Sequence, residues 1–321
     1  MKTAVAILNY NGKNWLETFL PTVIKYSHGY EVYVIDNQSN DNSVDFVKEH
    51  FPEVKIIINA ANYGFAKGYN EGLKQIYAEI YCLLNSDVEV TEGWIDSVLE
   101  VFQSDENIAV VQPKILSYYE RDSFEFAGGA GGLMDNLGYP YCRGRIFDKT
   151  EKDNGQYDDI SEIFWASGCA FFIRADVFWE QQQGFDERYF AHQEEIDLCW
   201  RIINSGKKIF YTYKSVVYHI GGATLAKENP HKTYLNFRNN LSTLLKNLPF
   251  PKLLWIIFLR LCLDGIAGLY LGIKIGFSHT WAVIRAHFAF YAEAINTLKR
   301  RGKHQTANYY QTKWLIFKKK F

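Results

Sequence analysis

The chain has 321 residues, 48% apolar and 22% charged, with a net charge of −1. That balance excludes a disordered or collagen-like chain and is long enough to bury a sizeable core. Near-neutrality conceals a split. Residues 227–321 hold sixteen Lys/Arg against three Asp/Glu, a balance of +13, and residues 1–226 stand at −14. A basic, apolar end on an acidic body suits contact with an anionic leaflet. Nucleic acid is the weaker partner, because no recognition-helix or RNA-platform motif accompanies the charge. Five widely spaced cysteines without a CxxC argue against a disulfide framework or zinc cage. No charged, apolar and cleavable leader precedes the first apolar run, so a cytosolic setting is expected.

Short apolar runs at 4–8, 31–36, 54–59 and 80–85 alternate with helix-length segments near 13–26, 42–50, 65–77 and 92–103. That alternation predicts a mostly parallel sheet with helices on both faces. Asn40-Asp-Asn-Ser43 supplies capping residues ahead of the second helix. Beyond Pro113 the alternation stops. The stretches Ala127-Gly-Gly-Ala-Gly-Gly132 and Gly138-Tyr-Pro-Tyr141 read as an ordered loop or an acceptor lid. Strand-like runs at 169–173 and 208–219, with a helix from about 194 to 205 that stops at Gly206, extend the sheet with mixed strands. A catalytic domain over 1–226 and a helical C-terminal region over 227–321 are expected.

Segment 253–273 is long and apolar enough to span a bilayer, yet it contains Arg260 and Asp264, four apart on one helical face, and three glycines. Trp281, Ile284, Phe288, Tyr291 and Ile295 then recur at 3-4-3-4 spacing, an apolar stripe followed by Lys299-Arg-Arg301 and Lys318-Lys-Lys320. Three readings stay open: helices lying in a membrane interface, a true span, or an amphipathic cap on the domain.

In an open parallel sheet, ligands bind beyond the carboxyl ends of the strands. Asp36 ends the second run and Asp87 lies just past the fourth, so both should face one crevice. A buried carboxylate there is costly unless paired or metal-bound, although either one alone reads equally well as a turn aspartate.

Four motifs, Ile7-Leu-Asn-Tyr-Asn-Gly12, Val34-Ile-Asp-Asn-Gln-Ser-Asn-Asp41, Asn62-Tyr-Gly-Phe-Ala-Lys-Gly-Tyr-Asn70 and Leu84-Asn-Ser-Asp-Val-Glu89, stand in the order and spacing of the family 2 glycosyltransferases. With two further motifs, at 189–201 and 217–224, the chain resembles the rhamnosyltransferase-like branch of that family over residues 3–225. The resemblance implies a GT-A-type, Rossmann-like α/β fold and an inverting transfer of a sugar from a nucleotide-diphosphate donor, dTDP-, UDP- or GDP-linked. The acceptor hydroxyl would belong to a glycan or lipid-linked acceptor in cell-surface polysaccharide or glycolipid assembly. It places the nucleoside on Asp36 with Asn9 and Tyr10, and the ribose and diphosphate near Gly64, Lys67, Asn70 and Ser86. Asn85-Ser-Asp87 stands in place of the usual Asp-x-Asp, which leaves Asp87 to carry Mg²⁺ or Mn²⁺, with His219 as a second metal or diphosphate contact. In Tyr189-Phe-Ala-His-Gln-Glu-Glu-Ile-Asp-Leu-Cys-Trp-Arg201 the general base aligns with Glu195, a Glu where the family has Asp. Glu194 and Asp197 would bind acceptor or orient the site, although Asp197 could equally pair with Arg201. Trp165 and Gly168 match the acceptor-side loop, Trp165 with a ring able to stack on a sugar, and Arg238 is a weaker diphosphate candidate.

A nucleotidyltransferase would need a Gly-rich, basic loop after the first strand, and Asn9-Tyr-Asn-Gly12 is not one. A dinucleotide oxidoreductase would need GxGxxG there. A non-catalytic sugar-binding membrane subunit would have no reason to keep Asp87, Glu195 and His219 together.

Overall fold

The computed structural model describes residues 1–146, 149–182, 184–221 and 229–312. The expected boundary at 226/227, the Gly222-Ala-Thr224 end of the histidine motif and the lysines at 318–320 lie outside those residues.

The first half follows the strand–helix alternation closely: β1 (Thr3–Asn9), α1 (Lys13–Tyr26), β2 (Glu31–Asp36), α2 (Ser43–His50), β3 (Lys55–Ile58), α3 (Gly64–Leu73), β4 (Ile80–Asn85), β5 (Val88–Val90) and α4 (Trp94–Ser104). Strands β3, β2, β1 and β4 are parallel neighbours in that order. Strands β1, β2 and β4 are buried on both faces, so alternate residues feed two cores. Ala4, Ala6, Ile35 and Leu83 meet Tyr69 and Leu73 of α3 on one side. Val5, Ile7, Val34 and Leu84 meet Leu16 and Leu20 of α1, Val47 of α2 and Val98 of α4 on the other. Full burial of each such aliphatic side chain contributes roughly 1.5–3 kcal/mol.

The sheet continues through β6 (Ile108–Ser117), β11 (Ile160–Glu162), β12 (Ala170–Arg174) and β13 (Lys208–His219), with α5 (Ala175–Glu180) and α6 (Glu194–Asn204) between the last two strands. The order becomes β11-β13-β6-β12-β4-β1-β2-β3. Strand β12 runs antiparallel to β4 and β6, whereas β13 is parallel to β6 and antiparallel to β5. This is the mixed α/β sheet expected from the sequence.

The glycines before 132 form an ordered turn, and the chain then enters a small antiparallel sheet of β7 (Gly132–Met134), β8 (Pro140–Cys142), β9 (Arg145–Ile146) and β10 (Lys149–Thr150).

Helices α7 (Pro230–Asn247), α8 (Phe250–Lys274) and α9 (Phe277–Lys299) complete the described chain. Asn229 caps α7 by accepting from the His231 N–H at 2.9 Å, with Pro230 in the first turn. Helix α7 lies against α6 and α9, and α8 against α7 and α9. Among the described residues α8 is the one helix long and apolar enough to cross a membrane. Its two mid-helix charges face the protein. Arg260 donates to the Leu137 and Gly138 carbonyls at 3.0 and 3.1 Å and to Asn240 Oδ1 at 2.6 Å, with Asp264 3.6 Å away. The outer face keeps Leu254, Trp255, Phe258, Ile266 and Leu269 exposed. The 3-4-3-4 stripe of α9 also faces outward, whereas Ala282, Val283, Ala286 and Phe290 form its buried side.

Candidate functional site

Asn9 and Asp36 end neighbouring parallel strands in matched register. Asn9 Nδ2 donates to Asp36 Oδ1 at 2.9 Å, and the Ser39 N–H donates to Asp36 Oδ2 at 2.8 Å. The carboxylate is 1% exposed, held at the rim by local donors, and Asn9 Oδ1 is buried without a partner. Tyr10 is half exposed beside it. Asn37 Nδ2 donates to the Gly64 carbonyl at 2.9 Å, which ties the start of α3 to this edge. Gly64 has φ +71°, and a Cβ there would meet the Phe190 carbonyl oxygen at 2.6 Å, so backbone conformation and close approach both demand glycine.

Asp87 and Ser86 sit in the turn between β4 and β5. Pairing of β5 with β13 sets His219 opposite Val88, and this carries the imidazole to the same turn. His219 Nε2 lies 3.2 Å from Asp87 Oδ1, and Asn85 Nδ2 lies 3.4 Å from the same nitrogen. On the ring's other side Nδ1 lies 3.5 Å from Glu125 Oε1, while Glu125 Oε2 accepts from the Ala127 N–H. Glu125 is 5% exposed. Sequence reading missed it, since a lone glutamate in an irregular turn after β6 carries no pattern. Burial disfavours the imidazolium, but Cys169, Asp87 and Glu125 outweigh it and hold the His219 pKa well above the ordinary value.

No group of three or more His, Cys, Asp or Glu arranged to hold a metal occurs among the described residues. One carboxylate and one imidazole facing each other nevertheless suit Mg²⁺ or Mn²⁺, which usually draw their remaining oxygen ligands from phosphates and water. Asp87 and His219 are the residues that would hold such a cation, and Glu125 would then steady the imidazole from its other side.

The third group opens α6. Glu194 is buried, Glu195 is partly exposed, and the Oε2 atom of each lacks a partner. Burial pushes the Glu195 carboxyl up to about 7. Burial and then the Glu195 charge push Glu194 well above the usual carboxylate range. The two residues before the helix, His192 and Gln193, have φ +70° and +74°, a conformation that is strained for both. Helix α7 holds them there. Asn239 Nδ2 donates to the Ala191 and His192 carbonyls at 3.0 and 2.7 Å, and Asn240 Nδ2 donates to Gln193 Oε1 at 3.1 Å. Arg238 donates to Asn239 Oδ1 and to the Arg188 carbonyl, so it braces this turn instead of facing a diphosphate.

The loop before β12 joins the groups. The Asn85 N–H donates to the Cys169 carbonyl at 2.9 Å, and the Ala166 N–H lies 3.5 Å from Cys199 Sγ on α6. Gly168 leaves room for the Phe65 ring, which a Cβ would meet at 2.9 Å. The structure therefore brings Asp87 and His219 into contact, and Asn9 and Asp36 likewise. No hydrogen bond among the described residues links Glu195 to either pair. Buried polar atoms without partners at Asn9, Glu194 and Glu195 leave these groups free to take a ligand, although other such atoms lie elsewhere in the fold.

For Asp197 the alternative left open by the sequence, pairing with Arg201, is the one the structure shows, and three further expectations need correction. Asp197 is fully buried, with its oxygens on Arg201 Nε at 2.9 Å, Lys246 Nζ at 2.8 Å and Asn247 Nδ2 at 2.9 Å, so it has no face left for an acceptor. Trp165 is 5% exposed, its ring covered by Gly132 and its Nε1–H donated to the Leu133 carbonyl, which rules out sugar stacking. Asn70 exchanges two hydrogen bonds with the Phe185 backbone and so fastens a turn. Lys67 turns to Glu187, 3.9 Å away, and lines a different cleft.

A relative from Mycobacterium tuberculosis, a pre-mycofactocin glycosyltransferase, is 27% identical over 197 residues, 60% of this chain and 37% of its own. The chain thus spans little more than a third of that protein's length. The N-acetylglucosaminyl-diphospho-decaprenol L-rhamnosyltransferase of the same organism is 24% identical over 231 residues, 67% of this chain and 75% of its own. The crystal structure of GalNAc-T7 with UDP, GalNAc and Mn²⁺ shares the fold at a TM-score of 0.60 and 17% identity, over 77% of this chain and 48% of that one. The family model described as "Glycosyl transferase family 2" matches residues 4–181, more than half of the chain and the whole run of strands that carries Asp36 and Asp87. On that match the chain belongs to glycosyl transferase family 2.

Proposed function

We propose that this glycosyltransferase is metal-dependent and inverting, and that it moves a sugar from a nucleotide-diphosphate donor, dTDP-, UDP- or GDP-linked, onto a hydroxyl of a glycan or lipid-linked acceptor. The observation that carries the reading is Glu195: a partly buried residue at a helix start, with one buried, unpartnered carboxylate oxygen and a pKa pushed up to about 7 by burial. A general base works best with a pKa close to the operating pH.

In this reading the Glu195 carboxylate takes the proton of the acceptor hydroxyl as the hydroxyl oxygen bonds to the anomeric carbon. The carbon–oxygen bond to the diphosphate breaks on the opposite face, so configuration inverts. Asp36, with Asn9 and Tyr10, holds the nucleoside. Asp87 and His219 are the residues that would hold Mg²⁺ or Mn²⁺, which when bound supplies Lewis-acid stabilisation of charge on the leaving diphosphate. Glu125 fixes the imidazole orientation. The outward apolar faces of α8 and α9, flanked by basic residues, support a peripheral position at the cytoplasmic face of the cell membrane.

The direct test is a nucleotide-sugar screen with Mn²⁺ present or chelated. Release of nucleotide diphosphate and transfer to acceptor should both need the ion, and transfer at full rate in chelator removes the metal from the proposal. Glu125→Gln should weaken Mn²⁺ binding by about 10–100-fold, read by titration calorimetry or Mn²⁺ paramagnetic resonance without turnover. Because the base must be ionised, kcat/KM should climb tenfold per pH unit below an apparent pKa near 7 and level off above it. Glu194 and Glu195 titrate together, so that value belongs to the pair. A flat profile between pH 5 and 8 would remove Glu195 from the base role.

A further inference from the structure

A cleft of about 690 Å³ lies beside α3, residues 184–188 and the end of α9, and none of Asp36, Asp87, Glu195 or His219 lines it. Its charges do not balance. Asp186 is contacted by three cations: Arg188 at 2.6 Å, Lys246 at 2.9 Å and Arg300 at 3.1 Å. Asp197 shares Lys246 and takes Arg201. Four cations thus surround two carboxylates, an excess of two positive charges, while Lys67 and Glu187 at the rim cancel. Lys246 and Asp186 are 1% and 2% exposed, so solvent screens the inner members little. The buried cations, Lys246 and Arg201, are matched by the two carboxylates, so the excess stands on Arg188 and Arg300 at the solvent-facing mouth, where a divalent anion would balance it.

We propose that this cleft binds a phosphate or diphosphate group, with Arg188 and Arg300 donating at the mouth and Lys246 charging the floor. Guanidinium forks match phosphate oxygens: Arg300, 48% exposed, spends one donor on Asp186 and keeps the rest of its fork open, whereas Arg188, 24% exposed, is bidentate on Asp186 and bonded to Thr297 and offers only its remaining N–H groups. The volume exceeds that of a bare anion and accommodates a phosphorylated headgroup. The apolar stripe of α9 runs to the exposed Leu298, two residues short of Arg300. A lipid lying along that stripe would carry its phosphate to the cleft, while a soluble phosphate would reach the same cations from solvent. The site shares no residue with the proposed reaction centre, so it stands or falls separately.

The test uses the full chain, without donor and in chelator. Inorganic pyrophosphate is titrated by calorimetry and thermal shift, and flotation is measured on phosphatidylglycerol and on phosphatidylcholine vesicles. Wild type, Arg300→Gln, Arg300→Lys and Asp87→Asn are compared. Saturable pyrophosphate binding that Arg300→Gln weakens about tenfold, Arg300→Lys largely keeps and Asp87→Asn leaves alone identifies a site for soluble phosphate. Selective flotation on phosphatidylglycerol that Arg300→Gln reduces, without pyrophosphate binding, identifies a lipid headgroup. Arg300 is half exposed, so its variants should fold, with circular dichroism as the check. The proposal is overturned if Arg300→Gln changes neither readout, or if Asp87→Asn alone abolishes pyrophosphate binding.

Discussion

Glu195→Gln is expected to slow sugar transfer by roughly a hundredfold to ten-thousandfold, the usual contribution of a positioned base, while donor affinity changes little. The amide keeps the shape and loses only the proton-accepting oxygen. A second consequence separates this residue from a merely structural one. A folded-state pKa raised to about 7 means that folding favours the protonated carboxyl. Its favourable contribution is fully present below the ordinary glutamate range and is gone once pH rises through 7. The Gln variant should therefore match wild-type stability near pH 4 and exceed it at pH 8, where the native protein must hold a poorly solvated charge beside Glu194. Slower chemistry with a higher melting temperature at pH 8 is the signature; transfer at wild-type speed would assign the base elsewhere.

Asp197→Ala is expected to destabilise the protein by about 3–5 kcal/mol, because it strands buried cations. Arg201 and Lys246 both lose a carboxylate oxygen within 2.9 Å, and Asn247 loses one of its two acceptors. These contacts fasten α7 onto α6, so the loss should appear as a lowered denaturant midpoint and as a looser start to α6. The pH dependence has the opposite sign to that of Glu195. Burial works against the charge, but Lys246 and Arg201 outweigh it and hold the Asp197 pKa below the ordinary value. Its stabilisation is present above the ordinary aspartate range and is lost as pH falls through the depressed value. Wild type and variant should therefore converge in strong acid, as equilibrium unfolding at graded pH would show.

Asp197 also marks where sequence reading stops. Strand-end position alone placed Asp36 and Asp87 at one edge of the sheet, because parallel strands and their helices write a clear alternation into the chain. Glu194 and Asp197 share a helical face, and that periodicity suggested a common task. What divides them is Lys246 and Asn247, about fifty residues later, whose arrival depends on how α7 docks. Trp165 was decided in the same way by Gly132, whose missing side chain lets the ring lie flat against backbone. Glu125 had no periodic signature and became visible only when β5–β13 pairing delivered His219 to it. Local pattern foretold strands, helix limits and strand-end acids; partners set by tertiary docking were beyond it. The outer stripe of α9 was read correctly in its spacing, but spacing could not say whether it faced a core or the outside.

The asparagine pair on α7 bears on how modular this chain is. Asn239 and Asn240 are the clasp that keeps His192 and Gln193 in their unfavourable backbone state, and that state aims the first turn of α6. A fragment ending near residue 226 would keep the proposed nucleoside-binding strand ends but lose the fixture that points the α6 carboxylates. Swapping C-terminal helices between homologous enzymes should likewise yield chimeras that recognise donor yet turn over poorly, unless the 188–193 turn is exchanged along with its clasp.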